Sequence, residues 1–202
     1  MTLYERITEE YPELPNVMME AESATKFTKR QVTRDEAAVL YREAYKQFEG
    51  EFLEIGTANG FSAYVIAKAA PAANIITLNP NPHEYRNAVM GLVPQPHVHP
   101  ICMKSWEYLE IRRDAKTRKP LDFIFVDGDH DLVRLDLPWF DELRVGGLIL
   151  FHDCKQDGVG NVYGVLQEMK SVLGRPFDLY YDTRRGMAGW YKRHGEMLNG
   201  EE

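Results

Sequence analysis

The sequence predicts a single three-layer α/β domain, in which helices cover both faces of a mostly parallel, seven-stranded sheet. Three stretches carry this prediction. Residues 52–70 have the pattern of a strand, a glycine turn and a helix, and residues 123–130 and 148–153 are apolar runs that end abruptly in acids and histidine. Short apolar runs of this kind are typical of strands that are buried on both faces of a parallel sheet.

Length, composition and charge limit what the protein can be. The chain has 202 residues, 44% of them hydrophobic and 27% charged, which suits one domain with a substantial core. Its formal net charge of −7 disfavours a nucleic-acid binder, which needs a basic surface. No apolar run approaches the ~20 residues of a membrane span, and the polar N-terminus does not resemble a signal peptide. Cys102 and Cys154 form neither a disulfide framework nor a zinc spacing, so we expect a cytoplasmic protein without nucleic-acid or membrane partners.

The chain divides into three parts. Residues 1–32 are a polar N-terminal segment with one expected short helix from Leu3 to Tyr11, residues 33–194 are the main domain, and residues 195–202 are a polar tail. Thr33 and Glu36 have the spacing of a capping box, which predicts that the first helix of the main domain begins here and runs to about Gly50.

The stretch from Phe52 to Ala70 is the one around which the domain is organised. Phe52 to Ile55 is an apolar segment, Gly56 to Gly60 is a tight turn, and Ser62 to Ala70 has helical character. Such a turn exposes backbone N–H groups at a helix N-terminus and lets a ligand approach the backbone closely. It is neither a dinucleotide fingerprint, which needs glycine at positions 58 and 61, nor a phosphate-binding loop, which needs Gly-Lys-Ser/Thr.

Glu54 is an acid at the end of this apolar strand. A strand-end carboxylate beside a glycine turn suits a ligand that carries positive charge and hydroxyl groups. The spacing is equally consistent with a solvated strand end or with an acid that caps the helix.

Further strands and helices follow in alternation. We expect a strand over Asn74–Leu78 that ends in Asn79-Pro80-Asn81-Pro82, a helix over His83–Leu92 and a strand over Val98–Met103. Lys104 to Glu107 is a turn in this interpretation, and Arg112 to Lys119 is a charged, solvated loop.

The acidic turn after the strand Phe123–Val126 is the second informative stretch. Asp127-Gly128-Asp129-His130-Asp131 resembles the start of an EF-hand, but Leu132 replaces the required glycine and Pro138 replaces the bidentate Glu. Ligands of open parallel sheets lie beyond the carboxyl ends of strands, so this turn should lie on the same edge as Gly56.

The next strand also ends in polar residues. We expect a helix over Leu132–Leu143 with Leu132, Leu135, Trp139 and Phe140 on its buried face, then a turn over residues 144–147 and a strand over Leu148–Phe151. His152 and Asp153 follow that strand. Two adjacent strands would thus bring a cluster of acids and histidines to one edge, namely Asp127, Asp129, His130, His152 and Asp153. Such a cluster is unfavourable unless it is hydrogen-bonded, solvated or bound to a cation, and it therefore indicates a site.

The last part of the main domain has a helix and two strands. The helix covers Gly158–Leu173, and the strands cover Phe177–Tyr181 and Met187–Tyr191 on either side of a Thr-Arg-Arg-Gly turn.

These motifs resemble those of class I S-adenosylmethionine-dependent methyltransferases. Glu-Ile-Gly-Thr-Ala-Asn-Gly-Phe-Ser, residues 54–62, is similar to their motif I, E-x-G-x-x-x-G, and to its version in small-molecule O-methyltransferases. The resemblance extends from about Thr33 to Arg193. It implies a Rossmann-like three-layer sandwich whose sheet is completed by an antiparallel C-terminal hairpin, and it allows the N-terminal segment to act as a lid over the substrate pocket.

The resemblance also implies where S-adenosylmethionine binds. The corresponding residues are Glu54, Gly56, Thr57, Ala58, Gly60 and Ser62 in motif I, Asn79 after the second strand, and Ser105 and Trp106 beside the adenine. In this fold an acid usually ends the second strand and accepts hydrogen bonds from both ribose hydroxyls. Asn79 stands at that place, and its amide can accept one such bond but carries no charge.

The two acidic turns resemble those of cation-dependent O-methyltransferases. By this resemblance Asp127 is the first ligand of a divalent cation, His152 and Asp153 replace an Asp-Asn ligand pair, and His130 is the general base that works with Asp127 in catalysis. A nitrogen ligand favours Mn²⁺, Fe²⁺ or Zn²⁺ over Mg²⁺.

We therefore predict methyl transfer from S-adenosylmethionine to a hydroxyl of a small molecule, either a sugar or a phenolic compound, assisted by a divalent metal cation such as Mg²⁺ or Mn²⁺. A homodimer is compatible with the sequence. Two other interpretations stay open, a binding module that has lost catalysis and a metal-dependent enzyme of different chemistry on the same fold.

Overall fold

One sheet of seven strands runs through the computed structural model, which describes residues 1–26, 32–115, 118–158 and 160–198. The strands are β1 (Glu49–Ile55), β2 (Ala72–Leu78), β3 (Val98–Ile101), β4 (Leu121–Val126), β5 (Leu143–His152), β6 (Leu179–Tyr181) and β7 (Met187–Tyr191). Their order is β3-β2-β1-β4-β5-β7-β6, with parallel pairing from β3 to β5 and antiparallel pairing of β7 with both neighbours. The predicted mostly parallel sheet with an antiparallel C-terminal hairpin is confirmed.

Helices cover both faces of the sheet. They are α1 (Leu3–Glu10), α2 (Leu14–Thr25), α3 (Arg34–Gln47), α4 (Phe61–Ala69), α5 (Pro82–Leu92), α6 (Ser105–Asp114), a 3₁₀ helix (Val133–Glu142) and α7 (Val162–Leu173). Side chains of α1 to α5 form one hydrophobic core with one face of the sheet, and those of α6, the 3₁₀ helix and α7 form a second core with the other. None of the described helices is long and apolar enough to cross a membrane.

Burial on both faces explains the continuous apolar sequence of β4 from Phe123 to Val126. Phe123 and Phe125 point into the first core, while Ile124 and Val126 point into the second. All four side chains are at most 3% exposed. Since neither face of this part of the strand meets water, no polar residue occurs between Asp122 and Asp127.

Several predicted elements differ from the observed ones. Residues 14–25 form the unpredicted helix α2, whose buried Leu14 and Met18 pack in the first core. The predicted turn at Lys104–Glu107 is the start of α6. The predicted solvated loop was also wrong at Arg112, which lies buried in the last turn of α6 near Glu142. Residues 116–117 of that loop lie outside the described part of the chain.

The segment after β4 is a 3₁₀ helix and not the predicted α-helix. Trp139 and Phe140 are fully buried as predicted, but Leu132 and Leu135 are 40% and 42% exposed. Pro138 lies inside the segment and cannot donate a backbone hydrogen bond, and the three-residue repeat of a 3₁₀ helix turns a different face to the core than a 3.6-residue repeat would.

The polar ends of the chain are partly anchored. The predicted capping box is confirmed, because the backbone N–H of Thr33 donates to Glu36 Oε2 at 2.8 Å and Thr33 Oγ1 accepts from the backbone N–H of Glu36 at 3.4 Å. In the predicted tail, Glu196 pairs with Arg175 at 2.6 Å. Residues 27–31 of the N-terminal segment and 199–202 of the tail lie outside the described residues.

Candidate functional site

Two cavities meet at the carboxyl ends of β1 and β4. The larger has a volume of about 350 Å³ and the smaller about 170 Å³, and Gly56, Ala58 and Asp127 line both. The other residues of the larger cavity are Ile55, Leu78, Asn79, Pro80, Glu84, Met103, Lys104, Ser105, Trp106, Gly128, Asp129, Leu132 and Asp136. Those of the smaller cavity are Val32, Thr57, Phe61, Ser62, His130, His152 and Arg185.

The residues predicted to bind S-adenosylmethionine fall into three groups. Five line the larger cavity, namely Gly56, Ala58, Asn79, Ser105 and Trp106. Thr57 and Ser62 line the smaller cavity. Glu54 and Gly60 line neither of these two cavities.

Glu54 lies in the packed interior between β1, β2 and α4. Its side chain is 0% exposed, and its Oε2 accepts a hydrogen bond from Thr77. Burial raises the pKa of Glu54 to about 7, although hydrogen bonds from Ser62 and Thr77 oppose the shift. In this arrangement the carboxyl ties the two strands to the start of α4.

The two motif I glycines are required by close packing. Gly56 has a φ of +102°, and a Cβ on it would lie 2.1 Å from the carbonyl oxygen of Asp127. A Cβ on Gly60, whose φ is +89°, would lie 3.1 Å from the side chain of Leu92 in α5. Gly56 thus lets the ends of β1 and β4 approach each other, and Gly60 lets α4 begin against α5.

Both polar atoms of the Asn79 side chain form hydrogen bonds within their own chain segment. Its Oδ1 accepts a hydrogen bond from the backbone N–H of Asn81 at 2.9 Å, and its Nδ2 donates to Glu84 Oε2 at 2.8 Å. Glu84 belongs to the first turn of α5 and lines the larger cavity beside Asn79.

The adenine-side candidates surround a buried acid that sequence reasoning missed. Ser105 donates a hydrogen bond to Asp136, which is 3% exposed and lies in the 3₁₀ helix. Burial, together with the nearby Asp129, raises the pKa of Asp136 to about 7. Trp106 is partly exposed in the same cavity, and the ammonium of Lys104 lies 5.2 Å from its ring centroid.

His152 is surrounded by carboxylates. Its Nδ1 lies 2.8 Å from Asp127 Oδ1 and 3.1 Å from Asp153 Oδ2, and its Nε2 lies 3.2 Å from Glu36 Oε2. Burial alone would lower the pKa of His152, but these three carboxylates raise it well above its usual value. The structure thus brings His152 beside both other predicted metal ligands, Asp127 and Asp153, and its own role as a ligand stays a prediction.

Glu36 connects this cluster to three parts of the fold. It is 0% exposed, and it bonds Thr33 in its own capping box as well as His152. Its Oε1 accepts from Thr183 Oγ1 at 3.0 Å and from the backbone N–H of Arg185 at 2.9 Å. Burial would raise the pKa of Glu36, but its contact with His152 and its hydrogen bonds from the backbone of Thr33 and Arg185 lower it to about 2.

His130 lies beside both acids of the cluster. Its Nε2 is 2.7 Å from Asp153 Oδ2 and 3.9 Å from Asp127 Oδ1. Contact with Asp153 raises the pKa of His130, while burial acts against this shift. Asp153 adopts the left-handed conformation with a φ of +57°, and Arg185 Nη1 approaches its Oδ2 to 3.4 Å.

One set of side chains in this cluster could hold a metal. Asp127, His130 and Asp153 each offer an atom, and the three atoms lie within 4.8 Å of one another. Two carboxylates and an imidazole suit a divalent transition metal. The sequence predicted two members of this set as ligands and assigned His130 to catalysis.

Four residues of the site were missed as site residues by sequence reasoning, namely Glu36, Glu84, Asp136 and Arg185. Glu36 was identified only as a helix cap, although its contact with His152 also makes it part of the cluster. Asp136 stands between two leucines in the sequence, a position that gave no signal because the segment was expected to be an α-helix.

Comparison with known proteins relates this chain to methyltransferases. A family model described as a methyltransferase domain matches residues 53–154, half of the chain. Among curated proteins, none matches the chain.

Solved structures with the same fold include three methyltransferases. The O-methyltransferase from Bacillus cereus, in complex with S-adenosylhomocysteine, has 19% identity and a TM-score of 0.68, over 90% of this chain and 91% of its own. S-adenosylhomocysteine-bound PaMTH1 from Podospora anserina has 16% identity and a TM-score of 0.67, over 87% of each chain. TomG from Streptomyces achromogenes, an O-methyltransferase of tomaymycin synthesis in complex with S-adenosylmethionine, has 18% identity and a TM-score of 0.63, over 87% of each chain.

At these identities the solved structures establish the fold, while the match to the family model establishes kinship. The chain belongs to the methyltransferase domain family, and its fold is that of the solved methyltransferases, which confirms the predicted resemblance to class I S-adenosylmethionine-dependent methyltransferases.

Proposed function

We propose that this enzyme transfers a methyl group from S-adenosylmethionine in the larger cavity to a hydroxyl of a small molecule in the smaller cavity. The observation that carries the proposal is the junction of the two cavities at Gly56, Ala58 and Asp127. A methyl group can pass only between atoms held in contact, and this junction is where a donor and an acceptor in separate cavities would meet.

The larger cavity suits the methyl donor. Its volume of about 350 Å³ is within the range of small-molecule sites. Leu78, Met103 and Trp106 offer apolar contact for an adenine ring, and the carboxylates at its walls suit hydroxyl and ammonium groups. When bound, S-adenosylmethionine supplies a methyl group that is already activated on a sulfonium.

The task left to the protein is to align the acceptor and to remove its proton. His130 lines the smaller cavity, and Asp153 lies 2.7 Å from its Nε2. We assign Nε2 as the nitrogen that carries a proton toward Asp153, which leaves Nδ1 to take the proton of the acceptor hydroxyl. The acceptor oxygen then bonds to the methyl carbon as the bond from that carbon to sulfur breaks.

In a second version of the proposal, the same site holds a divalent cation. Asp127, His130 and Asp153 fit such an ion in donor type and spacing. A bound cation would lower the pKa of an acceptor hydroxyl, so a base would be needed less. Sensitivity of turnover to a chelator distinguishes this version from the one that depends on His130 alone.

His130→Ala tests the assignment of the base. Turnover should fall by about 10²- to 10⁴-fold because a positioned proton acceptor is lost, while calorimetry should show unchanged binding of S-adenosylhomocysteine. The acceptor for the assay is the compound that turns over fastest in a panel of sugars and phenols. His194→Gln, which changes an exposed histidine, is the matched control.

Each outcome separates the alternatives. Unchanged turnover in His130→Ala would transfer the role of base to Asp127, or would mean that a cation lowers the pKa of the acceptor hydroxyl enough for its proton to pass to water. Binding of S-adenosylhomocysteine without turnover of any acceptor in the panel would favour a binding module that has lost catalysis.

The remaining parts of the proposal concern the surroundings of the enzyme. The net charge of −7 supports a small-molecule acceptor over a nucleic acid. A cytoplasmic location and a homodimer stay predictions from the sequence.

A further inference from the structure

The ribose-binding acid of this fold is replaced by an amide at the end of β2, and the structure indicates what compensates for it. The side chain of Asn79 is 5% exposed, and both its polar atoms are used within the chain. Its oxygen accepts from the backbone of Asn81, which caps α5, and its nitrogen donates to Glu84. The amide oxygen is therefore not free to accept two hydrogen bonds from a diol.

Glu84 brings a carboxylate to the place where the acid is missing. It lies in the first turn of α5, five residues beyond Asn79, and lines the larger cavity together with Asn79 and Pro80. The hydrogen bond of 2.8 Å from Asn79 Nδ2 to Glu84 Oε2 holds the carboxylate at the end of β2.

We infer that Glu84 is the residue that binds the ribose diol of the methyl donor, and that Asn79 positions its carboxylate. The inference rests on the proposed function, because it concerns the same cavity and the same ligand. A carboxylate only accepts hydrogen bonds and has two oxygens, so it suits the two adjacent hydroxyls of a ribose, both of which can donate.

A structural role for Glu84 is the alternative. An acid in the first turn of a helix is stabilised by the helix dipole wherever it points. Glu5 has such a position in α1, where it closes a capping box and does not line either cavity. Glu5→Gln is therefore the matched control for loss of a first-turn acid.

The experiment measures binding by calorimetry, with S-adenosylhomocysteine and its 2′-deoxy analogue as probes. The wild-type protein should bind the 2′-deoxy analogue about tenfold more weakly, because a charge-assisted hydrogen bond is lost. In Glu84→Ala, S-adenosylhomocysteine should bind about ten- to hundredfold more weakly, and the two probes should no longer differ. Glu84→Gln should give an intermediate loss, and Glu5→Gln should bind like the wild type.

Asn79→Asp gives the sharpest contrast. If Asn79 itself occupied the place of the ribose acid, restoring the acid would tighten binding. If Glu84 binds the ribose, the new carboxylate would lie against the carboxylate of Glu84, and binding should weaken because two like charges repel. Thermal unfolding of each variant checks that the fold is retained.

The results separate failure of this inference from failure of the proposed function. If the wild-type protein binds S-adenosylhomocysteine tightly and Glu84→Ala and Glu84→Gln bind it equally well, the role of Glu84 alone would be overturned. Tighter binding in Asn79→Asp would have the same consequence. A wild-type protein that binds neither probe would overturn the proposed function and this inference with it.

Discussion

His152 has the most unusual environment of any described histidine, since both ring nitrogens face carboxylates in a buried cluster. Three acids, Glu36, Asp127 and Asp153, surround one imidazole ring, and the guanidinium of Arg185 adds a positive charge beside Asp153. Buried carboxylates are stable only when they are paired. Hydrogen bonds to His152 therefore compensate part of the buried negative charge, and a cation at this cluster stays a prediction.

The charged cluster is expected to stabilise the fold in the middle of the pH range. The pKa of Glu36 is lowered to about 2, so its contribution is present above its unfolded pKa and is lost as the pH falls toward 2. The pKa of His152 is raised, so its contribution is present below its unfolded pKa and is lost as the pH rises through the folded value.

Glu54 leads to a prediction about the pH dependence of stability. Its pKa is raised from 4.5 to about 7, so between these values the folded chain holds a proton that the unfolded chain does not. Its contribution is therefore present below pH 4.5 and is lost as the pH rises through 7, with a slope of at most ~1.4 kcal/mol per pH unit. Glu54→Gln, which is neutral throughout, should lack this slope.

Urea unfolding at several pH values between 4.5 and 8 measures this difference. Relative to Glu54→Gln, the wild-type protein should lose free energy of unfolding as the pH rises through this window. Parallel curves for the two proteins would mean that Glu54 is ionised in the folded state.

At the scale of elements, the close approach of β1 and β4 determines the shape of the site. The two strands pair in parallel from Phe52 to Ile55, and their ends supply Gly56 and Asp127 to both cavities. Because a Cβ on Gly56 would lie 2.1 Å from the Asp127 carbonyl oxygen, this approach needs glycine at position 56.

Gly56→Ala should therefore destabilise the fold strongly. The left-handed conformation disfavours alanine by about 1–2 kcal/mol, and overpacking against Asp127 should add about 1–3 kcal/mol more to the loss of unfolding free energy. Gly174→Ala is the matched control, since Gly174 has a φ of +63° and a Cβ on it would meet nothing within 4 Å. Urea unfolding should show the larger loss for Gly56→Ala, and equal losses would contradict a packing role for Gly56.

The elements that could be predicted from the sequence are those in which burial leaves a clear pattern of apolar residues. The strands before the motif I turn and before the acidic turns were predicted because burial on both faces leaves short, mostly apolar runs. Helix α2 was missed because Pro15 was taken as a sign against a helix, although proline is well tolerated in a first turn, where Pro15 lies. The polar residues of its exposed face also obscured the apolar pattern of its buried face. Arg112 was assigned to solvent because its partner Glu142 is remote in the sequence.

For the molecule as a whole, the position of the site in the fold could be predicted from the sequence, but the contacts between its side chains could not. The rule that ligands lie beyond the carboxyl ends of parallel strands placed Gly56, Asp127 and Asp153 on one edge. That rule does not say which side chains contact each other. The contacts of Glu36 with His152 and of Asn79 with Glu84 depend on side-chain positions that only the folded structure gives.

In the proposed function, the methyl donor and the acceptor occupy separate cavities that join at the ends of β1 and β4. The most direct measurement is a crystal structure of the protein with S-adenosylhomocysteine. We expect the adenine beside Ser105 and Trp106, the ribose at Glu84, and the sulfur at the junction formed by Gly56, Ala58 and Asp127. S-adenosylhomocysteine in the smaller cavity, or a larger cavity that stays empty at millimolar ligand, would contradict the account.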